Sequence, residues 1–232
     1  FKGLGLVSVS PFYKKLTGPI YLERRTVDSG TELSGQLAAK YNSLGRDTTD
    51  WQTNQWQNAG DGKILGVELA FERKLNFIPD PFDGFGVSFN TAFIDSEVQL
   101  LLEERFEEEV PMFKQSSNMG NVSLFYEKFG LLVRLAMVWR GEYLETVRGG
   151  RTVISDLTVR HELPADSLDV YVDDFMKLDL TVKYRFRNHF SIFAEATNLT
   201  DEPLRRYEGD TSRLHSIQFT GPIYSIGAKW NL

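Results

Sequence analysis

The stretch FMKLDLTVKYRFRNHFSIFAEATNLTDEPLRRYEG, residues 175–209, alternates apolar and polar side chains, reverses over little more than RNH, and alternates again. Successive side chains of a strand point to opposite faces. Met176, Leu178, Leu180, Val182, Tyr184 and Phe186 therefore share one side, and Lys177, Asp179, Thr181, Lys183 and Arg185 the other. A period of two residues held this long points to strand rather than amphipathic helix, and it requires something apolar against one face and water against the other. On 130–140, Leu131, Val133, Leu135, Met137 and Trp139 oppose a mixed side of Leu132, Arg134, Ala136, Val138 and Arg140. At the chain's end, Tyr224, Ile226, Ala228, Trp230 and Leu232 oppose Ser225, Gly227, Lys229 and Asn231. A soluble β-sandwich gives the same alternation, so what covers the apolar face has to be read from the connections.

The pattern predicts about nine strands, at 3–13, 20–28, 60–77, 84–102, 113–127, 130–144, 172–186, 189–206 and 216–231. Between them come KKLTGP (14–19), some thirty residues from Asp28, PDPFDG (79–84), a loop opening EERFEEEVP, EKFG (127–130), the segment 145–171, RNH (187–189) and YEGDTSRLHS (207–216). Short and long connections alternate. In an up-and-down antiparallel sheet, alternate connections lie on opposite edges, so short turns gather on one side and long loops on the other. That asymmetry is the habit of outer-membrane barrels, and Greek-key sandwiches rarely keep it. A sheet in lipid must also close, because its edge groups find no water. Hydrocarbon then covers the apolar face and the charged face lines a wet lumen. A membrane strand needs about 9–11 residues, which several segments exceed. Tyr126, Trp139, Tyr143, Tyr184, Phe186, Tyr224 and Trp230 fall near strand ends, as interfacial girdles require.

Bulk properties exclude other classes. No run of about 18 apolar residues exists, so no membrane helix is expected. Cysteine is absent, which removes disulfides, thiol nucleophiles and Cys-ligated zinc; the three histidines are scattered. A net charge of -6 argues against nucleic acid. Asp173 and Asp174 lack a partner base at a telling spacing, and nothing locates a pair of carboxylates for glycosidase chemistry, so no enzymatic activity and no cofactor are expected. The opening FKGLGLVSVSPFYKK lacks the apolar run and small-residue cleavage site of a signal peptide, so none is expected there, and it reads as mid-strand. Bacterial barrels have even strand numbers. An odd nine therefore predicts the C-terminal part of a larger barrel, entered on a descending strand.

The segments SVSPFYKKLTGPI, GKILGVELAFERKLNFIPDPFDGFGVSFNTAFIDSE, NMGNVSLFYEKFGLLVRLAMVWRGEYL, DDFMKLDLTVKYRFRNHFSIFAEATNLTDEPLRRYEG and GPIYSIGAKWNL resemble, in this order, the C-terminal barrel half of TonB-dependent outer-membrane receptors. The resemblance implies an all-β, antiparallel up-and-down transmembrane barrel of about 22 strands with a plugged lumen. It implies that residues 1–232 form its last part, with plug domain and TonB box outside this chain. It implies energy-coupled uptake of a scarce small-molecule ligand across the bacterial outer membrane: a ferric siderophore, a saccharide or a cobalamin-like molecule. The implied partners are outer-membrane lipid, the plug and remaining barrel strands, TonB acting through the plug, and the ligand. The family's last strand commonly ends in Phe as an assembly signal; here Leu232 stands there, with Tyr224, Ile226, Ala228 and Trp230 on the same face. A passive, porin-like barrel and a soluble β-sandwich binding module are the alternatives.

Candidate ligand contacts lie in an outer loop, where Trp51, Gln52, Asn54 and Trp56 interleave rings for stacking with amides for hydrogen bonding. Lumen-facing Arg134, Lys177, Asp179, Lys183 and Arg185 are candidates for contact with plug, water or ligand. The acidic run Glu103, Glu104, Glu107, Glu108 and Glu109 suits either a hard cation or plain solvation. NLT at 198–200 matches a glycosylation acceptor by accident, and GDGK at 60–63 is a turn, not a phosphate loop.

Overall fold

Strands that alternate over ten residues or more keep their backbone donors and acceptors in the plane of the sheet, so they must pair edge to edge. The computed structural model describes residues 5–26, 36, 39–40, 43–44, 52–102, 105–148, 153–156, 159–162, 168–186 and 190–230. In chain order its strands are β1 (Leu6–Thr17), β2 (Ile20–Thr26), β3 (Gln52–Asn58), β4 (Asp61–Lys74), β5 (Phe85–Gln99), β6 (Glu109–Val110), β7 (Asn118–Lys128), β8 (Leu131–Arg140) and β9 (Tyr143–Arg148). There follow β10 (Val153–Asp156), β11 (Val159–Glu162), β12 (Val170–Val172), β13 (Phe175–Phe186), β14 (Phe190–Thr197), β15 (Leu204–Glu208), β16 (Asp210–Gln218) and β17 (Ile223–Trp230).

The long strands form one wall in the order β1-β4-β5-β7-β8-β13-β14-β17, with β6 added on β5. Every neighbouring pair in it is antiparallel and follows in chain order, which makes it an up-and-down sheet. It does not close on itself: β1 and β17 each have a single strand partner among the described residues. A second sheet, β16-β15-β12-β9-β2-β3, stands beyond the loop-side edge of the wall. In it β2 and β9 run parallel. The hairpin β10–β11 pairs only with itself among the described residues.

Cross-strand register shows how cleanly the two faces separate. Leu124, Leu135, Leu180, Ala196 and Tyr224 make one row across five strands, and Tyr126, Val133, Val182, Ala194 and Ile226 make the next. On the opposite face the rows read Ser88, Ser123, Ala136, Asp179 and Asn90, Asn121, Val138, Lys177. Asn90 and Asn121 there donate an amide N–H to each other's carbonyl at 3.2 and 2.9 Å. The apolar face stays bare: Val9 is 64% exposed, Leu135 40% and Ile226 88%. A soluble sandwich would bury these side chains under a second layer. Toward the turn-side edge, rings follow one another from Tyr184 to Phe186, Phe190 and Trp230 at 4.5, 5.7 and 5.8 Å, as a girdle would. Tyr143, expected in a girdle, instead packs on Arg140.

Glycines paired directly opposite rings hold the register. Phe12 lies over Gly66, Phe125 over Gly86, Trp139 over Gly120 and Phe193 over Gly227. A Cβ at any of these four glycines would fall within 2.5 Å of the ring opposite. Three of the rings, Phe12, Phe125 and Phe193, lie on the polar face, where the partner glycine receives them flat.

Several expectations change. The segment 14–19 is not a turn: Lys14–Thr17 stay in register with Asp61–Ile64, and the ladder resumes at Ile20 opposite Asn58. Gly18, at φ 60°, and Pro19, which has no N–H, interrupt the pairing without reversing the chain. The wall thus has nine members as expected in number, but the ninth is the two-residue β6, and residues 20–26 belong to the second sheet. Leu6 pairs with Glu72 and Trp230 with Phe190, so both ends of the wall lie at its turn-side edge, and β1 rises toward the loops instead of descending. The predicted strands 130–144, 172–186, 189–206 and 216–231 each break where the chain passes between wall and second sheet.

Candidate functional site

The second sheet is built on a small apolar core. Tyr21, Ala59, Leu144 and Val147 face Val98 at the end of β5 and Leu100, Leu102, Val110 and Met112 from the β5–β7 connection, all below a tenth exposed. Tyr21 stacks on Phe113 at 4.9 Å. Burying each leucine fully contributes about 1.5–3 kcal/mol, enough to hold this loop against the sheet.

Charges join the same segments. Arg105, buried with 3% of its side chain exposed, donates from Nη1 to Asp169 Oδ1 at 2.7 Å, and from Nε and Nη2 to Glu108 at 2.7 Å each. Asp169 Oδ1 also accepts the Arg148 N–H at 3.0 Å. Arg148 Nη2 reaches Glu208 at 3.1 Å, and His215 Nδ1 meets the same oxygen at 2.8 Å. Arg206 forks onto Glu145 at 2.8 and 3.2 Å, Arg205 pairs with Asp173, and the Tyr207 hydroxyl donates to Glu142 at 2.7 Å. Three connections that are distant in sequence are thereby fastened together. Burial opposes the Arg105 charge, yet the bonds it donates to Glu108 and Asp169 outweigh that and hold the guanidinium above its ordinary range. Burial pushes the Asp169 carboxyl up, against the pull of Arg105. Burial and the bond to Glu142 raise the Tyr207 phenol.

On the polar face of the wall, β8 and β13 carry a file of cations. From the loop side they are Arg140 opposite Phe175, Lys177 opposite Val138, Arg134 opposite Thr181, Lys183 opposite Leu132, and then Arg185. Same-face neighbours on a strand are about 7 Å apart, so the file runs the height of the wall. Arg134 spends its donors on Ser123 Oγ at 2.9 and 3.2 Å. Asp179, between the upper and lower cations, accepts the Asn198 N–H at 2.8 Å. That asparagine is itself buried at the start of the β14–β15 connection.

The residues singled out in sequence fall in separate places. Arg134, Lys177, Asp179, Lys183 and Arg185 share one face of the wall. Asn54 and Trp56 lie on β3, with Trp56 64% exposed; they are not gathered with the cation file. Gln52 begins β3, paired with Thr26; Trp51, Glu103, Glu104 and Leu232 lie outside the described residues. Tyr224, Ile226, Ala228 and Trp230 occupy the exposed apolar face of β17. Among the described residues no group of three or more His, Asp or Glu is placed to hold a metal ion. Sequence reasoning missed Arg105, Asp169 and the Arg140–Tyr143–Phe175 stack; an arginine beside Trp139 at the end of a mostly apolar strand was the one available signal for the last.

A family model described as TonB dependent receptor-like, beta-barrel, matches residues 1–199. No curated protein matches the sequence. Among solved structures, the siderophore receptor PiuA from Acinetobacter baumannii is similar at 14% identity and TM-score 0.47, over 76% of this chain and 23% of that one. A mutant of the ferric enterobactin receptor PfeA from Pseudomonas aeruginosa is similar at 15% identity and TM-score 0.49, over 96% of this chain and 28% of that one. The chain thus spans about a quarter of the length of these receptors. An up-and-down wall with one bare apolar face and its loops gathered at one edge is what such a match requires, and the chain belongs to the TonB-dependent receptor β-barrel family.

Proposed function

We propose that this chain is part of the wall and outer loops of an outer-membrane receptor that takes up a scarce ligand by energy coupling. The observation that carries this reading is the uncovered apolar face of an up-and-down sheet whose opposite face is polar and charged. Hydrocarbon is the one environment that stabilises such a face without a second protein layer. Members of the family are bacterial outer-membrane transporters, not enzymes. In this reading Arg134, Lys177, Asp179, Lys183 and Arg185 line the lumen, toward a plug domain that TonB pulls. The two open edges pair with further strands of a larger barrel, of which residues 1–232 are the C-terminal part. Tyr224, Ile226, Ala228, Trp230 and Leu232 form the strand read by the assembly machinery. Trp51, Gln52, Asn54 and Trp56 are first contacts for a ferric siderophore, a saccharide or a cobalamin-like ligand.

Uptake of labelled candidates from these three classes, by cells with and without the intact protein and with and without TonB, tests the reading. Uptake that needs both supports it. Uptake that needs the protein but not TonB makes it a passive barrel.

A further inference from the structure

The apolar face of β4 is framed by a cation at each end. Lys63 stands near its loop-side end and Arg73 near its turn-side end, with Leu65, Val67, Leu69 and Phe71 between them on the same face. Ten residues at about 3.4 Å each, on a strand tilted by about 40°, rise about 26 Å along the bilayer normal. The apolar band of an outer-membrane barrel is about 25 Å tall. The two cations therefore fall one at each headgroup level, and Arg73 takes that of the turn-side leaflet, periplasmic in the receptor reading.

Among the described residues of the wall, the other cations on this face each meet a carboxylate. Lys15 pairs with Asp61 at 3.4 Å, Lys63 with Glu97, and Lys128 with Asp80 at 2.9 Å and with Asp83. Arg73 forms no ion pair or hydrogen bond among the described residues, and its Nε is buried without a partner. The acids of its own hairpin and of β7 are engaged or face away. Glu72 alternates to the polar face opposite Ser88, Asp80 and Asp83 hold Lys128, and Glu127 holds Lys74 at 2.7 Å. Residues 1–4, FKGL, include no acid. What Arg73 does touch is a ring: its guanidinium carbon lies 4.7 Å from the centre of Phe77, four residues on and past the end of β4. The stem thus runs along apolar surface while the head leans toward the turn-side edge, as long basic side chains do at a membrane boundary. Phe77 and Phe82 of this connection are more than half exposed. Phe82 stacks on Phe85 at 6.4 Å and Phe85 meets Tyr126 at 5.0 Å, so the rings of the connection continue those of the apolar face.

We propose that Arg73, held on Phe77, binds the phosphodiester of a glycerophospholipid in the turn-side leaflet, with the lipid's acyl chains running down the apolar face of β4 and β5. A guanidinium is a planar fork that matches two phosphate oxygens at once, and here its donors are unused. The occupant is a lipid and not free phosphate, because Arg73 shares its row with Val87 and Leu124 and stands directly below Phe71. The inference rests on this face being covered by hydrocarbon, and goes beyond it by assigning one lipid position to one side chain. Lys128, at the same edge, is excluded from such a role by its two carboxylates.

The complete receptor, purified in detergent, is titrated with three lipids of identical acyl chains and its bound copies are counted by native mass spectrometry. The lipids are phosphatidylglycerol, phosphatidylethanolamine and a galactosyl diacylglycerol that has no phosphate. Both phospholipids are expected to give a first bound copy at least tenfold tighter than the galactolipid. Arg73→Gln should weaken that copy tenfold or more and Arg73→Lys by less, whereas Lys15→Gln, at the opposite edge of the same face, should leave it unchanged. Melting temperatures confirm that each variant is folded; should Arg73→Gln fail to fold, Phe77→Ala, which removes the ring under the guanidinium and should weaken the same copy, carries the test. The inference is overturned if phospholipid and galactolipid bind alike, if the variant carrying the test binds phospholipid as the wild type does, or if inorganic phosphate competes as strongly as the lipid. It is also overturned if Lys15→Gln loses as much as Arg73→Gln, which makes the effect one of net charge. A receptor that fractionates with the outer membrane but shows no such copy leaves the proposed function standing and removes this inference alone. A protein recovered in the soluble fraction removes the proposed function itself.

Discussion

Arg105 shows how much one side chain can decide. It lies 64 residues from Asp169 in sequence, and its guanidinium closes the β5–β7 connection onto the segment preceding β12. Removing one member of a buried pair leaves the other charge without compensation, which costs about 3–5 kcal/mol. Arg105→Met in the complete receptor is accordingly expected to open this connection, seen as faster amide exchange and new protease cleavage within 100–117 while the wall stays protected. The exposed partner, Glu108, has a pH signature. The bond from Arg105 holds its carboxyl below the ordinary value of 4.5, against a smaller upward push from burial. Its stabilising contribution is therefore complete above pH 4.5 and is lost as pH falls through the lowered value. Asp169 works in the opposite sense, since burial raises it above 3.8 and its protonation favours the folded state as pH falls. Exchange protection of the Arg105 and Glu108 amides, corrected for intrinsic exchange, should thus decline as pH falls below 4.5 in the wild type, and this decline should be smaller in Glu108→Gln.

At the scale of the strand, the paired glycines and rings explain register. Gly227 faces Phe193 across β17 and β14, and an added Cβ would lie 2.4 Å from the ring's Cζ. Gly227→Ala must displace that ring, an overpacking that costs about 1–3 kcal/mol. Phe193→Ala in the same background should recover most of the loss, giving a coupling visible in a double-mutant cycle of melting temperatures. Additive effects would mean that the pair does not lock the last strand. The sequence-level reading of Gly18–Pro19 as a turn failed at this scale too. Glycine and proline signal a break in the ladder, but whether the chain reverses there depends on the partner strand, and here β4 and β3 carry the same partner past it.

For the whole molecule, the decisive question is what covers the apolar face. Leu135 and its neighbour Ala136 point to opposite faces of β8, with Leu135 in the row of Leu124 and Leu180 and Ala136 opposite Asp179. An arginine at the bilayer midplane costs about 2–4 kcal/mol. Leu135→Arg should therefore reduce assembly of the complete receptor in the outer membrane, read as the folded fraction in unheated gels, while Ala136→Arg leaves it nearly unchanged. Equal effects would point to a protein layer over both faces.

The two faces, the long strands, and the separation of turns from loops were all legible in the sequence, because alternation depends on residues two apart and needs no knowledge of the partner. The passage of four predicted strands from wall into second sheet, the Arg105–Asp169 pair, and the stacking of Arg140 between Tyr143 and Phe175 emerged only in three dimensions. Most of these join segments tens of residues apart, and the energy that selects them comes from burial and charge compensation between those segments. No local pattern encodes such a sum, so the partner of each paired cation is decided only when the chain is folded.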